Sequence, residues 1–408
     1  MSKKAVYIVA SQQRHEVNER VNRIFTLKDH FSKMVLVCPT KGQAGKECLN
    51  ISPYTNPTGI LRLLGLNKLK KFIDQQIFFP STSILYVAAA KKKLCNQIQR
   101  DLAQGLEVCL ITCAPNHALC LLGLYLKRQF PAIKWIMDWQ DLWSLDKNYA
   151  SRTPRWQQKR LLRTESEVFT RADINITTNQ YAKKVLETQF NVPPNKVIAI
   201  THPFHNEDLL KDCDTKIKIT KATPKTITIG FLGNLFKAPK VPGEKVLEAI
   251  EHCKISGVNI ELHICGGLPE SITDNPEIYQ QKYGLQFHGS FDHTTSLSII
   301  AQCDFMLLVL EDLPVSKTIV HAKLPHYLLT GKPILAIAPS QSAIADIIQE
   351  TGSGYLIKAE EHWGEQLQNI LQQLNNTPPP ERDEAAIQNY SWDHIKVQWL
   401  DAIDREYS

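Results

Sequence analysis

The sequence predicts an α/β fold in two domains. Short apolar runs alternate with longer amphipathic stretches, the alternation stops in a polar segment at residues 205–225 and then restarts, and 408 residues are enough for two cores. Apolar residues make up 43% and charged residues 22%, an ordinary balance for a soluble globular chain.

In the first half, Val6–Ala10, Met34–Cys38, Val108–Thr112, Lys134–Met137, Ile174–Thr177 and Val197–Ile200 read as strands, with helical patterns between most of them. Lys3-Lys4 before the first run resembles a signal peptide only superficially, because the run is very short and no small-residue cleavage site follows. A helix is expected over Asn18–Phe31, preceded by the polar loop SQQRHE, whose Arg14, His15 and Glu16 are read either as acceptor contacts or as a solvated helix start. No window approaches the ~20 apolar residues of a membrane span, and the longest, Ala118–Leu126, is followed at once by Lys127-Arg128. Ile60–Phe79 mixes Leu and Phe with Arg62, Lys68, Lys70 and Lys71 and a single acid, Asp74. It reads either as an element lying on an anionic bilayer surface or as a core helix with a solvated basic face.

The second half restarts the rhythm with strands at Thr226–Leu232, Asn259–Cys265, Leu285–Phe291, Phe305–Leu310 and Ile334–Ala338. Helices are expected near Glu244–Cys253, Leu297–Gln302 and Glu360–Leu374, with a Pro-rich break at Thr377–Glu381 and a last amphipathic helix at Ser391–Tyr407. The domains are therefore drawn at residues 1–204 and 226–390, with 205–225 as linker and 391–408 as a terminal helix.

Charge is divided unevenly. Residues 1–203 carry 30 Lys and Arg against 14 Asp and Glu, whereas residues 204–408 carry 17 against 27. A first half of net +16 and a second of −10 point the first half at something anionic, such as a phosphate-bearing acceptor or a phospholipid surface. No nucleic-acid-binding signature accompanies the charge. The ten cysteines form no C-x-x-C pair and no zinc-spaced cluster, and Cys38, Cys109, Cys113, Cys120, Cys265 and Cys303 lie in apolar stretches. Buried thiols in a reduced, cytoplasmic protein are the simple expectation. Asp212-Cys213-Asp214 is a D-x-D sequence but sits in the linker with no strand before it, so it reads as a solvated charge pair and no metal is expected.

The stretch Lys317–Ala338, KTIVHAKLPHYLLTGKPILAIA, carries the densest signal. Pro325 suits the first turn of a short helix, Gly331 stops it, and Lys332-Pro333 leads into a buried strand. Free N–H groups at such a helix start, with Lys317 and Lys323 beside them, form a seat for phosphate. Gly266-Gly267, after a strand, lets bare backbone approach a ligand. No G-x-G-x-x-G fingerprint is present.

Lys323 to Ile334, KLPHYLLTGKPI, is similar to the nucleotide-sugar motif of family 4 glycosyltransferases of the GT-B fold, whose pattern runs roughly K-x-x-E-Y-L-x-x-G-K-P-V/I. His326 stands where that family carries a glutamate for the ribose hydroxyls. Gly233 to Lys240 resembles the family's G-R-x-x-x-x-x-K loop, with Asn234 in place of arginine and Lys237 able to compensate. Trp135 to Trp143 resembles its R-D-x-W segment, with Gln140 for arginine. The resemblance implies two Rossmann-like domains facing a cleft, with the C-terminal helix crossing back to the first domain. It implies a hexosyl or related sugar transferase of the bacterial polysaccharide type, acting with retention and without metal or cofactor. The donor nucleotide sugar falls to Gly233, Asn234, Lys237, Lys240, Gly266, Thr318, Lys323 and His326. His117 is the candidate for the acceptor hydroxyl or leaving group, and Asp141 for hydrogen-bonding the acceptor, although a helix cap or turn explains each as well. The resemblance implies a glycan or a lipid-linked acceptor, and a cytoplasmic chain either free or peripheral on the inner face of the membrane. Two other readings stay open: a non-catalytic partner in polysaccharide assembly, and a nucleotide-sugar epimerase.

Overall fold

The computed structural model describes residues 2–10, 19–38, 47–51, 58–114, 116–143, 145, 155–204, 218, 219, 223, 225–236, 241–374 and 379–405. The chain divides into two compact units, residues 1–201 with 395–408, and residues 202–394.

The first unit holds a seven-stranded parallel sheet in the order β3-β2-β1-β4-β5-β6-β7. Its strands are β1 (Ser2–Val9), β2 (Phe31–Cys38), β3 (Cys48–Asn50), β4 (Glu107–Ala114), β5 (Lys134–Trp139), β6 (Ile174–Thr177) and β7 (Val197–Ala199). Ala5–Val9 is wholly buried, as a central strand covered on both faces must be. The helices are α1 (Glu19–Phe25), α2 (Gly59–Leu63), α3 (Asn67–Ile77), α4 (Ile84–Ala103), α5 (Ala118–Gln129), α6 (Arg155–Arg171) and α7 (Gln180–Gln189). The six cysteines expected in the cores are buried.

Two local expectations are corrected. The helix read over Asn18–Phe31 ends at Phe25, gives way to a tight 3-10 turn at Thr26–His30, and Phe31 already belongs to β2. The single element read over Ile60–Phe79 is two helices, α2 and α3, parted at Gly65, whose φ of +72° breaks the helix. The polar loop SQQRHE lies outside the described residues, as do Asp212, Cys213 and Asp214.

One ion pair ties the first unit together. Asp138, fully buried on β5, takes a two-pronged contact from Arg20 of α1: Nε to Oδ2 at 3.0 Å and Nη2 to Oδ1 at 2.9 Å. The same guanidinium donates to the carbonyls of Ile200 and Thr201 at 2.9 and 2.8 Å and lies 5.2 Å from the ring centre of Trp399. Trp399 belongs to the last helix, Trp392–Asp404, which forms part of this unit from Ile395 onward. The end of that helix meets two lysines: Lys4 Nζ is 2.9 Å from Asp404 Oδ1, and Lys134 Nζ is 3.0 Å from the carbonyl of Ile403. Cations suit this end, where helix carbonyls are left without partners.

The second unit holds a six-stranded parallel sheet in the order β10-β9-β8-β11-β12-β13. Its strands are β8 (Ile227–Leu232), β9 (Ile260–Cys265), β10 (Leu285–Gly289), β11 (Phe305–Val309), β12 (Ile334–Ala338) and β13 (Gly354–Lys358). The strand β13 escapes the sequence reading: its half-buried GYLIK shows no alternation, and its apolar run, Tyr355-Leu356-Ile357, is too short to mark a buried strand. Glycine is needed at its start, because a Cβ at Gly354 falls 2.0 Å from the Ile334 carbonyl oxygen. In each sheet the chain reverses its direction of travel once, between β1 and β4 in the first and between β8 and β11 in the second. Ligands of such sheets bind beyond the carboxyl ends of the strands at that reversal.

The Arg20–Asp138 pair gives a stability prediction. Removing one member of a buried pair typically costs about 3–5 kcal/mol. Asp138→Asn is therefore expected to lower the urea midpoint of the first unit by the equivalent of at least ~3 kcal/mol, and a loss below ~1 kcal/mol contradicts the assignment.

Candidate functional site

At the reversal of the second sheet the pairing of β8 is lopsided. On the β9 side it runs to Leu232, opposite Cys265, and continues as Gly233 N–H to the Cys265 carbonyl at 2.8 Å. On the β11 side it stops at Gly230, opposite Met306. The N–H and C=O of Leu232 therefore point to a side with no strand to receive them, and buried backbone groups need partners. Both are supplied from the short helix Leu324–Leu329 and the residue just before it. Leu232 N–H donates to Tyr327 Oη at 2.9 Å, and Lys323 Nζ donates to the Leu232 carbonyl at 3.0 Å. Four residues apart, Lys323 and Tyr327 share one face of the turn.

The helix forms where expected. Pro325 sits in its first turn, Gly331 leaves it with φ +70°, and β12 begins at Ile334. Lys323 is partly buried, its ammonium 3.6 Å from the ring centre of Phe231. Burial pushes its pKa down to about 7. The unfolded chain then holds more protons than the folded one between that value and the ordinary lysine range, so this group makes stability rise with pH there. His321, with Nε2 3.3 Å from the Val309 carbonyl, is pushed down to about 4 by burial and by the Lys323 charge, so it donates there as a neutral ring.

Backbone is bare on the other flank. Gly233 has φ +111° and Gly266 φ +153°, and a Cβ at Gly266 falls 1.9 Å from the Gly233 carbonyl oxygen. The two strand ends approach this closely only because both residues are glycine. Asn234 is exposed beside them, its amide nitrogen 3.1 Å from the Cβ position of Gly267. Thr318 closes the turn before the helix, its hydroxyl bonded to the Val315 carbonyl at 2.9 Å. His326 is buried, with its ring centre 4.3 Å from that of His293, at the start of the helix His293–Ile300. Gly233, Gly266 and Lys323 thus flank the end of β8. Lys237 and Lys240 lie outside the described residues. Tyr327, to which the sequence reading gives no role, holds the strand end.

In the first unit, His117 precedes α5 and stacks on Trp143, with ring centres 4.8 Å apart and planes 5° from parallel. Burial lowers its pKa to about 3, so the imidazole stays neutral. Asp141 is exposed, just beyond the end of β5. Trp139 and Trp143 are core residues. The buried carboxylate of that segment is Asp138, spoken for by Arg20.

No family model matches this sequence, and no curated protein matches it. Its shape does have counterparts among solved structures. HepE of Anabaena, crystallised with UDP-glucose, superposes with a TM-score of 0.62 at 14% identity, covering 98% of this chain and 100% of that one. Sucrose-phosphate synthase of Thermosynechococcus elongatus gives 0.62 at 13%, covering 98% of each chain. WaaG, a glycosyltransferase of lipopolysaccharide biosynthesis, gives 0.59 at 11%, covering 98% and 100%. With two parallel sheets in two units and a last helix that ends in the first, this chain has the architecture of the GT-B fold.

Proposed function

We propose that the protein is a glycosyltransferase that takes a sugar from a nucleoside-diphosphate donor held by the second unit and passes it to a hydroxyl of a glycan or lipid-linked acceptor held by the first. The observation that carries this reading is the ammonium of Lys323, kept beside bare glycine backbone at the carboxyl end of β8, where the sheet reverses. Solved GT-B structures crystallised with UDP or UDP-glucose support it by analogy of shape.

Transfer requires a positioned donor and neutralisation of the diphosphate that departs. Lys323 is suited to the neutralising role. Partly stripped of water, it gains most when an anion arrives to keep its proton in place. In this reading cationic side chains and backbone N–H groups play the part that a metal plays elsewhere, and no cofactor is used. His117 is suited to hydrogen-bonding a hydroxyl but is too weak a base at about 3 to carry its proton away. The departing phosphate oxygen is the stronger base and takes that proton, an arrangement that fits retention without a protein nucleophile. The sugar is hexosyl or related, and polysaccharide assembly at the inner face of a membrane is the setting.

The buried His326 favours a second reading. A ring packed on His293 cannot chelate a ribose diol as a carboxylate does, which suits a protein that binds nucleotide but turns over little donor. Donor consumption decides between the two. Turnover only with acceptor supports transfer, binding without turnover supports the non-catalytic partner, and conversion without acceptor supports the epimerase.

Three outcomes test the donor site. In a melting-temperature screen of nucleoside diphosphates, one raises the midpoint of the intact chain, and Lys323→Ala weakens its binding by roughly tenfold, whereas Lys91→Ala, against Tyr125 in the first unit, leaves it unchanged. From about pH 7 to about pH 9 the diphosphate is already ionised, so affinity falls as Lys323 loses its proton and Lys323→Ala flattens the profile. Tyr327→Phe leaves the Leu232 N–H without its partner and costs about 1–3 kcal/mol of stability in a urea titration. A pH profile identical in wild type and Lys323→Ala removes Lys323 from the site.

A further inference from the structure

The helices α2 and α3 of the first unit are amphipathic in the wrong sense for a core element. Their apolar side chains face outward: Ile60 is 61% exposed, Leu63 87%, Leu64 64%, Phe72 61% and Ile77 67%. Leu69 and Phe72, three residues apart, and Ile77 beyond them fall on one face of α3. Polar groups instead knit the inner side, where Asp74 takes a hydrogen bond from Thr58 and an ion pair from Lys70. Thr58 is buried while the leucines are not.

We propose that α2 and α3 form a monotopic anchor that lies in the headgroup region of an anionic phospholipid bilayer, with its leucine, isoleucine and phenylalanine side chains reaching the acyl boundary. Three observations select this occupant. The only acid of the stretch, Asp74, is neutralised from within by Lys70, which leaves Arg62 and Lys68 exposed beside the apolar face. A second copy of the chain seated symmetrically on the same face brings those like charges together, whereas anionic headgroups complement them. The half of the sequence that contains α2 and α3 carries net +16. The 11 residues of α3 are too few to cross a bilayer, and among the described residues no helix is long and apolar enough to do so, so the element lies on the membrane.

The test is sedimentation of the intact protein with vesicles, in the absence of nucleotide so that the result is independent of the donor site. Wild type is expected to pellet with phosphatidylcholine–phosphatidylglycerol vesicles, less with phosphatidylcholine alone, and less as salt is raised. Leu63→Ser with Phe72→Ser withdraws apolar surface from the bilayer and is expected to weaken partition by about tenfold or more at unchanged melting temperature. Lys68→Glu is expected to weaken binding to the mixed vesicles only. Wild type that stays in the supernatant with mixed vesicles overturns the proposal. So does a double variant, or Leu63→Ser alone, that pellets as well as wild type. A wild-type dimer in light scattering that the double variant abolishes assigns the face to a second copy and also overturns it.

Discussion

Both backbone polar groups of one residue, Leu232, are held by side chains rather than by a neighbouring strand, and the geometry at this end of the second unit's sheet follows from this. Where a parallel sheet reverses, the two central strands diverge and their last backbone groups lose partners. Here Tyr327 and Lys323 fill the gap, which fixes the short helix against the strand end and brings a lysine to the place where bare glycine backbone is exposed. A lysine placed there for backbone pairing is also partly stripped of water, and so is tuned toward an anion. One contact thus serves packing and electrostatics together.

The first unit solves a different problem. Its central feature is Arg20, whose guanidinium joins α1, β5, the chain after β7 and the final helix through one carboxylate, two carbonyls and one indole. Such a hub couples four segments of the chain at one buried group. The outward-facing helices α2 and α3 lie in the same unit, where Thr58, just before α2, donates a hydrogen bond to Asp74 of α3.

Much of this is legible in the residues. Turn chemistry is local, so Pro325 and Gly331 bracket a helix and β12 can be placed to the residue, and positive φ at Gly233 and Gly266 follows a pattern of glycines after strands. Partners distant in sequence are not legible. Nothing in KLPHYLL says that Lys323 answers a carbonyl at Leu232 or that Tyr327 answers its N–H. In the WIMDWQD segment the residues point to Asp141 because it stands beyond the strand, whereas the buried carboxylate is Asp138, whose partner lies far upstream at Arg20. The strand β13 stays hidden because a half-buried strand after a helix lacks either periodicity, and the start of β2 because Phe31 fits a helical face as well as a strand.

Hydrogen–deuterium exchange with and without the nucleoside diphosphate that most raises the melting temperature tests most directly whether the end of β8 and the Lys323 helix together hold the donor. Slowed exchange concentrated in the peptides that span residues 230–236 and 316–330 is the expected result. Binding with unchanged exchange in those two segments, or with protection confined to the first unit, contradicts it.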